Sequence, residues 1–267
     1  RQRQMCIRDR YPIKEYHVNI NVAIHDLILK YIKTLETPNR LYYVVGLLNK
    51  LVRYLESKWG SEIEKTLKRI KKEDPIELLI RTVLSQNTSD RNADKAFENL
   101  KKLIKGDFKE LLNIDLNALK EAIKPAGMQN QRAKRIVELI RVIYEKYSGD
   151  LSWIRRLPMR EARSELLKLP GVGYKTADIM LVFYGEKDVL PIDTHITRIA
   201  NRIGYVKTKR YERIRKRLEQ EIEQGKKAKA HLLLIMFGRR ICKAKRPLCD
   251  KCPINKECPY ALKRVGT

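Results

Sequence analysis

Four cysteines, Cys242, Cys249, Cys252 and Cys258, stand in the stretch CKAKRPLCDKCPINKEC with six, two and five residues between them, so four thiols share one loop of 17 residues. Thiols this close, in a chain without an export signal, read as metal ligands rather than as two disulfides. Zinc is the commonest occupant of a four-cysteine site, but it usually sits between two Cys-x-x-Cys knuckles. One such pair flanked by two solitary cysteines suits a 4Fe-4S cluster, whose four irons each take one thiolate and accept irregular spacing. Lys243, Lys245, Arg246, Lys251 and Lys256 of the same loop would hold a basic surface against phosphate, with a redox role the second reading.

A second constellation is LPGVGYKTADIML, residues 169–181. The turn at Gly171 and Gly173 permits positive φ and lets a phosphate approach backbone N–H groups. Such a turn needs no ligand in most proteins, but before a helix N-terminus in a basic chain it reads as a sequence-independent phosphate clamp. Lys175 then lies where the helix end already carries partial positive charge and disfavours an ammonium. Either it meets an anion, as any surface lysine can, or its amine works unprotonated as a nucleophile. In the later stretch PIDTH, Asp193 is a natural N-cap for the helix that follows, and a capped carboxylate is also a fixed one. His195 reads as structural.

The elements that must position these groups are helical. Apolar residues alternate from Val18 to Ile24, then fall at Leu27, Ile28, Tyr31, Ile32 and Leu35, and a second amphipathic stretch from Leu41 through Leu55 is expected to stop at Gly60. Asp74 and Pro75 form an N-cap and N1 pair for an apolar helix over 76–84. Helical spacing returns at Ala93–Ile104, Ala133–Tyr147, Lys175–Phe183, after PIDTH, and at Tyr211–Ile222. No convincing set of alternating strands appears, so the fold class is all-α.

Charge bounds the partner. The 267 residues hold 58 Lys+Arg against 32 Asp+Glu, a net +26, and a chain this basic most often meets nucleic acid. The longest apolar run, LLLIMF at 232–237, falls far short of the roughly 18 residues of a membrane span, so a soluble chain is expected. RQRQMCIRDR at the start has no hydrophobic core for a secretory signal and is read, with Cys6, as non-native.

The hairpin, PIDTH and the cysteine loop, in that order and spacing, resemble the endonuclease III branch of the helix-hairpin-helix DNA glycosylase superfamily over residues 41–260. The resemblance implies that Lys175 is the nucleophile and Asp193 the second catalytic residue. Burial and the helix end should then depress the amine's pKa so that it can attack C1′ of a damaged nucleotide. It implies two helical domains, a six-helix domain over 75–187 and a second built from 41–74 with 188–267, plus an N-terminal extension over 1–40. It implies one 4Fe-4S cluster, a monomer acting on double-stranded DNA with a damaged base or abasic site, no membrane, and a cytoplasmic, nucleoid-associated prokaryotic setting. In LSQNTSD, Gln86 and Asn87 occupy the place of the wedge that fills the gap left by a flipped base, beside the plain reading of a polar helix end capped by Asn. In KPAGMQNQRAKRI, Arg132, with Lys134 and Arg135, is expected to contact phosphate, as are Lys245 and Arg246.

The activity so implied is base excision of oxidised pyrimidines with β-elimination at the abasic site. A mismatch or adenine glycosylase without lyase activity is the nearest alternative, since a one-residue shift would put Tyr174 at the nucleophile position. A non-catalytic DNA-binding protein would leave the Lys175 and Asp193 pair unexplained.

Overall fold

The computed structural model describes residues 46–265. The alternation and helical spacing expected between Val18 and Leu35, Leu41, and the extension over 1–40 lie outside those residues. Among the described residues the chain is all-α, with twelve α-helices and short 3-10 turns. No helix among them is long and apolar enough to cross a membrane.

Helix α1 spans Leu47–Ile70 and corrects the stop expected at Gly60. Glycine inside a helix costs about 1 kcal/mol relative to alanine, but the apolar row continues past it through Ile63, Leu67 and Ile70. Burial of that row outweighs the cost. Leu47 to Ile63 pack in one core, Ile70 in another, and Leu67 touches both, so α1 bridges two packed regions.

The first core gathers α2 (Pro75–Leu84), α3 (Asp90–Leu103), α4 (Leu116–Ile123), α5 (Gln129–Tyr147), α6 (Trp153–Arg156), α7 (Met159–Leu167) and α8 (Tyr174–Ile179). Asp74 caps α2 as its sequence suggests, accepting from the Ile76 and Glu77 amides. Beyond Ile179 the helix loosens into a π-helical turn over Met180–Tyr184. Gly185 ends it, where a Cβ would stand 2.8 Å from the Leu181 carbonyl oxygen.

The second core joins the first half of α1 to α9 (Thr194–Arg202), α10 (Tyr211–Glu219), α11 (Lys227–Arg240) and α12 (Pro259–Val265). Helix α11, which carries the LLLIMF run, packs on both α1 and α9. Its Gly238 is required by that approach, since a Cβ there would lie 2.8 Å from His195 Cβ. His195 is thus wedged against α11, with its ring nitrogen 3.0 Å from Arg198.

Candidate functional site

A cavity of about 950 Å³ opens where the two cores meet, and its walls include Gln86, Asn87, Gly171, Gly173, Lys175 and Asp193. Residues 107 positions apart in sequence therefore face one space. Lys175 is half-buried in the first turn of α8, and the half-buried Asp193 carboxylate accepts from the Ile196 amide at 2.7 Å, capping α9. Beneath them lies His231, fully buried, its Nδ1 2.9 Å from the Pro191 carbonyl. Burial pulls the His231 pKa down to about 4, the Asp193 carboxylate opposes that shift, and the Lys175 ammonium adds to it. One buried imidazole thus senses both side chains.

The hairpin differs from expectation in one detail. Gly171 takes a positive φ of 76°, which only glycine adopts readily, but Gly173 has φ −98°. A Cβ on Gly173 would meet nothing within 4 Å, so this glycine leaves its backbone face open rather than serving the turn. Gln86 reaches back to the hairpin, donating to the Gly171 carbonyl at 3.0 Å and to Thr176 Oγ1 at 3.2 Å. Asn87 is exposed with φ 55°, the left-handed conformation of an Asn that closes a helix.

Arg132 is a correction. It is buried, and its guanidinium donates to the carbonyls of Val83, Leu84, Gln86, Ala126 and Gly127, at 2.6–3.4 Å, so no donor is left for a phosphate. It ties the end of α2 to the start of α5. Lys134 and Arg135 are exposed, and the Arg135 side chain passes within 3.7 Å of the Cβ position of Gly171, beside the hairpin. The sequence held the signal: Arg132 shares helical spacing with Ile136, Leu139 and Ile143, the buried face of α5.

Sequence reading also missed a charged group behind Lys175. Asp178, one turn along α8, has no exposed surface, and it contacts Arg163 of α7, Arg215 of α10 and the Tyr211 hydroxyl. Burial pushes its carboxyl up to about 6 despite these partners. A carboxylate inside the otherwise apolar run ADIMLVF was the available signal. Tyr211 lines the cavity, as do Asp90 and Arg239, which form an ion pair between α3 and α11.

The four cysteines line a separate apolar cavity with Ile203, Phe237, Ile241, Leu248 and Ile254. Among the described residues, no three His, Cys, Asp or Glu side chains are gathered for a single metal ion. Burial pushes the Cys252 thiol up to about 11 and raises that of Cys258, so four thiolates here need a strongly cationic centre among them. A set of four soft donors around a shared apolar space fits an iron–sulfur cluster. Arg198 donates to the Cys242 carbonyl at 3.0 Å, and Arg202 to the Cys242 sulfur at 3.4 Å and the Lys243 carbonyl at 2.6 Å. Both arginines come from α9, so the helix capped by Asp193 also anchors this loop. Lys245 and Arg246 are exposed on it.

The family model described as "HhH-GPD superfamily base excision DNA repair protein" matches residues 80–224. Endonuclease III of Thermotoga maritima is 41% identical over 204 residues, 76% of this chain and 92% of that protein. A trapped endonuclease III–DNA covalent intermediate is similar in structure, with a TM-score of 0.64 at 29% identity, covering 77% of this chain and 98% of that one. A thermostable thymine-DNA glycosylase gives a TM-score of 0.63 at 26% identity, covering 79% and 98%.

Proposed function

The chain belongs to the endonuclease III family of the HhH-GPD superfamily of base excision DNA repair proteins, and we propose that it excises oxidised pyrimidines from duplex DNA and cleaves the resulting abasic site. The observation that carries this reading is the shared cavity: an amine, a fixed carboxylate, an open glycine hairpin and the Gln86–Asn87 edge all face it. It can receive one extruded nucleotide while the hairpin and Arg135 hold the flanking phosphates.

Lys175 Nζ attacks C1′, the bond from C1′ to the base breaks, and the base leaves with the electron pair and takes up a proton. The sugar ring then opens to an imine on Nζ. Loss of a C2′ proton breaks the C3′–O bond and cuts the strand on the 3′ side. Asp193, pinned by its cap bond, stabilises positive charge growing on the sugar. Cys242, Cys249, Cys252 and Cys258 would hold one 4Fe-4S cluster, which supplies structural closure of the loop that presents Lys245 and Arg246. The domains proposed are 75–187 and 41–74 with 188–267; the two cores follow this division except at its seams, where Ile70 and Val189 pack with the first, and the chain is proposed to act as a monomer.

Tyr174 also lines the cavity, and the likeness to a thymine-DNA glycosylase makes a monofunctional mismatch reaction the second reading. Borohydride trapping separates them. Incubation with duplex DNA carrying thymine glycol or an abasic site should give a stable protein–DNA adduct; binding without any adduct would favour the monofunctional reaction.

A further inference from the structure

The Tyr211 hydroxyl makes two hydrogen bonds that lead to the two halves of the site. It donates to Asp178 Oδ2 at 2.7 Å and accepts from the Ile192 amide at 3.2 Å. Asp178 lies three residues after Lys175 on α8, and Ile192 immediately precedes Asp193. A single oxygen atom therefore joins the segment that carries the amine to the segment that carries the carboxylate. Those segments pack in different cores, since Ala177 and Ile179 belong to the first and Ile192 and Ile196 to the second.

The joint is braced on both sides. Arg163 of α7 holds Asp178 at 2.8 Å and Glu212 at 2.5 Å. Arg215 binds Glu212 at 2.8 Å and Glu219 at 2.9 Å, and Glu219 in turn accepts from the Leu190 amide at 2.9 Å, a second tie to the segment before Asp193. The Tyr211 ring stacks on Tyr174, the neighbour of Lys175, with centroids 5.7 Å apart. Burying an ionisable carboxyl is costly, and hydrophobic replacements often match or exceed such networks in stability. Stability alone is therefore a poor account of Asp178, and its location between the paired residues supplies another.

We propose that the Tyr211–Asp178 hydrogen bond is a latch that sets the separation of Lys175 from Asp193, making both members positioning residues for the reaction. The proposal rests on the functional reading above, in which those two side chains act on one sugar. Misplacing reacting groups by about 1 Å can cost about a hundredfold in rate. Removing the hydroxyl frees the Ile192 amide and leaves Asp178 to its arginines, while the stacked ring stays in place.

The test compares wild type with Tyr211→Phe, Asp178→Asn and the double variant, each at a temperature well below its melting point. Amide hydrogen exchange at Ile192, measured without DNA, should quicken at least tenfold in Tyr211→Phe. Single-turnover adduct formation on abasic-site DNA should slow about ten- to a hundredfold, with affinity for an uncleavable abasic analogue within about twofold of wild type. Asp178→Asn keeps an acceptor for the hydroxyl and should lose less, and it serves if Tyr211→Phe does not fold. The double variant should be no slower than the worse single variant, because both changes open one joint. Unchanged exchange at Ile192, or equal losses of rate and affinity, would overturn the latch. If wild type forms no adduct the functional reading falls, and the exchange measurement still decides the latch.

Discussion

Behind Lys175 the chain supplies charged and polar partners for its own buried carboxyl, whereas around the four cysteines it gathers donors that burial makes hard to ionise. Asp178 has two arginines and a tyrosine hydroxyl from neighbouring helices. The Cys252 thiol, held up at about 11, has other cysteines as neighbours, and Arg202 reaches one sulfur. In the first region the partners all come from the folded chain. On the proposed reading, the second is finished by an inorganic centre. The two are not independent, because α9 begins with the cap at Asp193 and sends Arg198 and Arg202 into the cysteine loop.

The largest effect should separate capping from chemistry in the first region. Asparagine caps helices about as well as aspartate, so Asp193→Asn should leave the melting temperature nearly unchanged while slowing single-turnover adduct formation by about 10²- to 10⁴-fold. Equal rates would reduce Asp193 to a cap. In the second region, Cys258→Ser should forfeit part of the cluster's contribution to folding. A loss of about 3 kcal/mol would lower the melting temperature by roughly 6–12 °C, read by calorimetry alongside the visible absorbance of the purified protein. A variant that is colourless yet melts with wild type would contradict the structural role.

Acid titration separates two buried groups of opposite sign. His231 has a folded pKa of about 4 against 6.5 in the unfolded chain, so the unfolded state binds more protons between those values and stability is lost as pH falls through that window. Asp178, raised from 3.8 to about 6, has the opposite sign: its contribution is present at low pH and lost as pH rises through 6. The two oppose each other from pH 4 to 6. His231→Gln should remove the first, so the stability difference between wild type and variant should grow on the order of 3 kcal/mol from pH 4 to 6.5. Parallel stability profiles would contradict a buried, neutral His231.

The smallest effects distinguish two arginines three residues apart. Arg132→Ala removes a donor from five carbonyls, of which Val83's keeps the Gln86 amide, and should cost about 3 kcal/mol of stability. Arg135→Ala should leave stability alone, weaken DNA binding uniformly across sequences, and lower the salt-dependence slope by about 1. If both variants behave alike, the inward turn of Arg132 is wrong.

What could be read from sequence was local. The caps at Asp74 and Asp193, the turn at Gly171 and the cysteine spacing are each set by residues within a few positions of one another, so the sequence alone carries them. The helix through Gly60, the inward Arg132 and the Asp178–Tyr211 joint depend on which face of a helix meets which neighbour. A lysine- and arginine-rich surface hides a buried arginine among solvated ones. Its register with Ile136 and Leu139 shows only to a reader who follows the apolar face through a charged residue.

Reducing the adduct formed with abasic DNA, digesting it and locating the sugar remnant by mass spectrometry would identify the nucleophile. The remnant is expected on Lys175, in the peptide that follows the hairpin. A remnant on any other lysine, or on the chain's terminal amine, would contradict the assignment of the nucleophile.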